Sequence, residues 1–181
     1  QVITYSLHFT VPARTTFYAP VITDVLPDGL TYGGAEGIIP AVTINSTTVQ
    51  ANIPGAGQTT VQWDLVNITN TTTSDVPYRL VFTATVDQTY FGGSNVQRGD
   101  ILENRYRIDW GRLPDGSNRT NNPSVTNTVE IVEPRLNIIK SVQTSNGGNG
   151  SLVATDGWVT YTLTITNDNL DVTSPAYDIF I

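Results

Sequence analysis

Apolar and polar residues alternate one by one along most of this chain, and no stretch of a dozen residues carries a helical period. From Ile3, one face reads Ile3, Tyr5, Leu7, Phe9 and Val11, and the other reads Thr4, Ser6, His8 and Thr10. Tyr78, Leu80, Phe82, Ala84 and Val86 share a side, as do Leu102, Tyr106, Ile108 and Trp110, and later Val125, Asn127, Val129 and Ile131. Successive side chains of a strand point to opposite faces, so each run is a strand with one buried face. Turn sequences separate the runs, among them Pro27-Asp28-Gly29, Gly92-Gly93, Pro114-Asp115-Gly116 and Asn146-Gly147-Gly148. The 28 threonines and 19 valines supply branched side chains that suit a pleated, half-buried surface. The pattern predicts an all-β fold, an antiparallel β-sandwich.

The same composition narrows the chemistry. Sixteen acidic against nine basic residues give a net charge of −7, with no Lys/Arg cluster for nucleic acid or anionic lipid. No apolar run approaches the roughly 20 residues of a membrane-spanning helix. Zero cysteines exclude disulfides, thiol nucleophiles and thiolate metal sites, and a single histidine excludes a multi-histidine metal centre. One lysine and no thiols suit an exposed surface in a harsh environment. The absence of methionine and of a leader-like segment reads as a mature product or an excised piece.

The two ends of the chain repeat each other. Val2 to Thr10 (VITYSLHFT) matches Trp158 to Thr166 (WVTYTLTIT), with Tyr5 on Tyr161 and Leu7 on Leu163, and after one inserted position Ala19 to Asp24 (APVITD) matches Ala176 to Ile181 (AYDIFI), a period of about 157 residues. Glu133-Pro134 is the natural joint, because proline ends strand pairing and stiffens a linker. The expected division is residues 1–134, a sandwich lacking its opening strand, and residues 135–181, the opening strands of the next sandwich. The equivalent of Leu136 to Val142 would precede Gln1. Each part then has an unpaired edge, and head-to-tail completion between units, or tandem repetition in one long polypeptide, would satisfy both.

The stretches EPRLNIIKSV, DGWVTYTLTITN and AYDI near the end, and ITDVLPDGLTY near the start, resemble a prokaryotic surface-repeat family known as domain of unknown function eleven. VQWDLVNITN and ILENRYRIDWGRLP also resemble segments of its longer members, while Asp156-Gly157 inverts the family's usual Gly-Asp order. The resemblance implies an immunoglobulin-like sandwich repeat of cell-wall, S-layer, fibre or giant adhesin proteins, without enzymatic activity. Its implied location is the surface or exterior of a bacterium or archaeon. The alternative is an adhesin or carbohydrate-binding module that stacks sugars on Trp63, Trp110 or exposed tyrosines.

Candidate sites are few. No cofactor is expected except calcium, for which Asp168, Asn169 and Asp171 place oxygen ligands in one loop. Asp24 with Asp28, and Asp115 with Asn118, make lesser oxygen clusters that also read as ordinary turns. Asn45, Asn67, Asn70, Asn118 and Asn149 head N-x-S/T glycosylation sequences. His8 falls on the Thr-rich face, as a solvated strand residue. Lys140 shares parity with Leu136, Ile138 and Val142, and Asn127 shares parity with Val125 and Val129, so both are expected to point inward. A desolvated lysine is a nucleophile. An inward Lys on a first strand and an inward Asn on a last strand match the arrangement of isopeptide-crosslinked pilin and adhesin domains, with Asp24 as the acid, between units.

Overall fold

The computed structural model describes residues 1–145 and 157–167, and no helix occurs among them. The strands are β1 (Val2–Val11), β2 (Thr15–Leu26), β3 (Leu30–Ile39), β4 (Ile44–Ala51), β5 (Thr59–Leu65), β6 (Ile68–Asn70), β7 (Val76–Val86), β8 (Ile101–Gly111), β9 (Val125–Glu130), β10 (Leu136–Thr144) and β11 (Val159–Asn167). All pairings are antiparallel. The chain divides into two compact units, Gln1–Val96 with Asp100–Ile131, and Gln97–Gly99 with Val132–Ile181.

The first unit is a two-layer β-sandwich. One layer runs β1-β7-β3 and the other β4-β5-β2-β8-β9, with β6 also paired to β2. Alternation builds the space between them. Tyr5, Leu7, Phe9 and Val11 of β1 and Leu80, Phe82 and Ala84 of β7 are buried, facing Ile22, Leu26, Val61 and Trp63 of the other layer. Phe82 stacks on Tyr5 at 5.1 Å and meets Trp63 at 5.3 Å. Full burial of such a side chain contributes roughly 1.5–3 kcal/mol. At the start of β2 the ladder to β8 shifts register between Tyr18 and Val21. Ala19 takes a left-handed φ of 41° there, and its N–H donates to Asn67 Oδ1 at 2.8 Å instead of to a strand. The expected turns at Pro27-Asp28-Gly29 and Pro114-Asp115-Gly116 both form around glycines of positive φ, 89° and 79°.

The layers are unequal in width. β3 lies over β5, where the Trp63 indole N–H donates to Tyr32 Oη at 3.3 Å. β1 lies over β8, where the Tyr106 hydroxyl meets the His8 backbone. β9 therefore extends one strand past β1, and no described strand of the first layer stands above it. This overhang changes the outcome for Asn127. It pairs with Asn104 in register and shares the inward parity, yet it is exposed, because no described strand covers that end of the sheet. Val125 is 52% exposed for the same reason.

In the second unit, β10 and β11 form a two-stranded ladder with Lys140 opposite Leu163 and Val142 opposite Tyr161. One face carries Leu136, Ile138, Lys140, Tyr161 and Leu163, and all five are exposed. Lys140 stands on the apolar face, as its parity predicts, and among the described residues that face has no second layer. Its ammonium instead sits 4.6 Å from the centre of the Tyr161 ring, a cation–π contact.

Candidate functional site

The unusual chemistry of the first unit lies under the overhang. Asp24 belongs to the parity of Ile22 and Leu26 on β2, so the strand that buries those two carries a carboxyl into the core. It is fully buried. Asn104 occupies the same kind of position on β8, two residues from buried Leu102. β2 and β8 are hydrogen-bonded neighbours, and Asn104 Nδ2 donates to Asp24 Oδ2 at 2.9 Å. Tyr5 of β1 brings its phenol to the same region from the opposite layer. Asp24 Oδ1, Asn104 Oδ1 and the Tyr5 hydroxyl are each buried without a hydrogen-bond partner. Three orphaned oxygens at one place are costly, since an unmade buried hydrogen bond forfeits about 1–3 kcal/mol.

Burial sets the electrostatics of this cluster. Desolvation raises the Asp24 carboxyl to about 7, and the Asn104 hydrogen bond only partly opposes it. The Tyr5 phenol is pushed up to about 12, first by burial and then by the charge on Asp24. A carboxyl near neutrality can exchange a proton in both directions, which is the property of a general acid–base.

A groove of about 290 Å³ leads to the cluster, lined by Ile3 to Leu7 of β1, by Asn104 and Tyr106 of β8 and by Asn127 to Val129 of β9. One wall is an open strand edge. Val86 N–H donates to the Gln1 carbonyl at 2.8 Å, so the odd-numbered residues along β1 turn their backbone groups to β7. The even-numbered ones turn theirs to the groove. At His8 the Tyr106 hydroxyl accepts from the N–H at 3.2 Å and donates to the carbonyl at 2.9 Å. Thr4 and Ser6 face the groove in the same sense, with no described strand beside them.

No protein-family model matches this chain. No curated protein matches it either.

The other sequence candidates separate cleanly. Asp168, Asn169, Asp171 and Asn149 lie outside the described residues. Among the described residues no three His, Cys, Asp or Glu side chains are grouped to hold a metal. Asp28 accepts from the Phe91 N–H with both oxygens, at 3.0 and 3.1 Å, and Asp115 accepts from the Ser117 N–H at 2.9 Å, so both work as turn residues. Asn45, Asn67 and Asn118 are exposed. Asn70 is not available to a glycan: it is buried, and its Nδ2 donates to the carbonyls of Val11, Pro12 and Ser74. Trp63 is wholly buried and offers no ring face to a sugar, while Trp110 is half-buried with one face stacked on Phe17 at 3.7 Å. His8 is exposed, as its face predicts.

Asn104 escaped the reading of the sequence, although the signal was present. It interrupts the apolar series Leu102, Tyr106, Ile108 on the buried parity, which is the same argument that singled out Asn127. Tyr5 gave no signal. Alternation makes it a core residue, and only packing reveals that its hydroxyl lacks a partner.

Proposed function

We propose that this chain is a structural module of an extracellular filament, sheath or cell-surface fibre, built from repeated sandwiches and carrying out no turnover of a substrate. The observation that carries the reading is a match of strand edges. Ser145 N–H donates to the Trp158 carbonyl at 3.0 Å, so the even-numbered residues of β11 face β10. Trp158 is the repeat equivalent of Val2, which places the edge that β11 gives to β10 in correspondence with the edge that β1 leaves open over the groove. The occupant of the groove is therefore a β10-type strand from a neighbouring repeat. Its apolar face would cover the overhanging inner face of β9. Strand addition of this head-to-tail kind does not close on itself, so it generates an open fibre. The resemblance to tandem surface repeats and the Thr-rich exterior support the same reading and an extracellular location on a prokaryotic cell.

Electron microscopy of native material, with sedimentation of the purified chain, tests the proposal. Filaments and concentration-dependent assembly are the expected result. A monodisperse particle whose own residues 135–181 fill the groove would overturn it, as would saturable turnover of a glycan, peptide or phosphoester.

A further inference from the structure

We infer that Asp24 and Asn104 form an amide-crosslinking site, which joins the side chain of Asn104 to the lysine of a strand docked along β1. The inference rests on the strand-addition reading above and adds covalent chemistry to it.

The ladder between β10 and β11 supplies the geometry. Transferred from β11 to β1 by the sequence repeat, Tyr161 becomes Tyr5 and Leu163 becomes Leu7. A β10-type strand in that register has its lysine opposite Leu7. Lys140 holds its ammonium 4.6 Å above the Tyr161 ring, and the same posture on β1 sets it over Tyr5. The groove there is lined by Tyr5 and Asn104, and the orphaned oxygens of these two and of Asp24 are buried behind it. Lys140 is the single lysine of the chain, so one amine in the sequence can play this part. The buried cluster that is costly in an open sandwich thus has the chemistry to receive a buried amine.

The reaction needs nothing beyond these groups. A desolvated ammonium beside the Asp24 carboxylate passes a proton to it, which leaves a neutral amine and a neutral acid, the favoured pair in a low-dielectric site. Asp24, which Asn104 Nδ2 touches at 2.9 Å, is placed to exchange a proton with the nitrogen that departs. The amine nitrogen attacks Cγ, forming the new C–N bond. The proton lost by the attacking nitrogen passes through Asp24 to Nδ2, the Cγ–Nδ2 bond breaks, and ammonia leaves. Asp24 ends protonated, as it stood at the moment of attack, and no oxidant or reductant enters. Asn127, the amide suggested by the sequence, lines the groove but is exposed, whereas Asn104 touches Asp24 at 2.9 Å.

The test uses the 181-residue chain and a synthetic peptide of residues 135–145, labelled at its N-terminus. Binding is read by fluorescence anisotropy, and covalent capture by denaturing electrophoresis and intact mass. The expected product has the summed mass less one ammonia, and fragmentation maps the link to Asn104 and the peptide's lysine. Asp24→Asn and Asn104→Ala should each abolish the product, and Asp24→Asn, which keeps size and shape, should still bind the peptide. Binding without a covalent product in the unaltered chain would overturn the crosslink while sparing strand addition. No binding would overturn both. A link mapped to Asn127, or one that survives Asp24→Asn, would overturn the assignment of the site.

Discussion

At the scale of single residues, Asp24 is the group that most sets this sandwich apart. A carboxyl raised from its ordinary range to about 7 by burial binds its proton more tightly in the folded chain than in the unfolded one. Its contribution to stability is therefore fully present below about pH 4 and is lost as the pH climbs toward 7. The full effect is on the order of a few kcal/mol. Asp24→Asn removes the titration and keeps the shape. The variant should gain on the parent protein as pH rises, so that their melting temperatures diverge between pH 4 and pH 8. Parallel melting curves across that window would show that Asp24 titrates normally. Asn70 illustrates the opposite condition. Its amide reaches three carbonyls and its Oδ1 accepts from the Thr72 N–H at 3.0 Å, so a buried polar side chain there is fully satisfied and holds the loop before β7.

At the scale of elements, turns and edges behave differently. Gly29 closes the turn from β2 to β3 at a φ of 89°, and a Cβ there would stand 2.9 Å from Cε1 of Tyr90. Gly29→Ala should cost about 1–3 kcal/mol, from strained backbone together with the clash. A denaturant midpoint unchanged from the parent would argue against that geometry. The open edge of β1 makes a second prediction. In the isolated chain, the amides of Thr4 and Ser6 should exchange with solvent much faster than those of Tyr5 and Leu7, which face β7. His8 should be intermediate, since its amide is held by Tyr106 rather than by a strand. Assembled material should protect Thr4 and Ser6 as well. Equal protection of odd and even residues in the isolated chain would mean that the edge is already covered.

At the scale of the whole molecule, the prediction concerns what one repeat owes to its neighbour. If the chain assembles as proposed, denaturing electrophoresis of the native material distinguishes the forms of the polymer. A band near the 19.6 kDa of this chain indicates non-covalent completion, and a ladder of its multiples indicates crosslinks between chains. Very large species alone indicate tandem repeats in one polypeptide. Disappearance of the ladder in Lys140→Arg, which keeps the charge but removes the primary amine, would tie it to the crosslink.

How far all this could be read in advance follows from range. Strand identity is local: a period of two, with glycine and asparagine turns, determines which residues share a face, and the runs from Ile3, Tyr78, Leu102 and Leu136 all form strands. The repeat of Tyr5 in Tyr161 is likewise visible in the letters alone. Parity, however, says which face a residue joins and not whether another layer lies above it. Asn104 and Asn127 are paired, on one face, and one is buried and the other exposed because β1 reaches over β8 and stops short of β9. Lys140 likewise has the parity of a core residue on a sheet with no described cover. The sequence by itself determined the strands, their faces and the repeat, because these depend on neighbours one or two residues apart. Only the tertiary structure decided that Asp24 meets Asn104 across 80 residues, beneath a strand edge with no described partner, because burial and hydrogen bonding between layers depend on the width of each sheet.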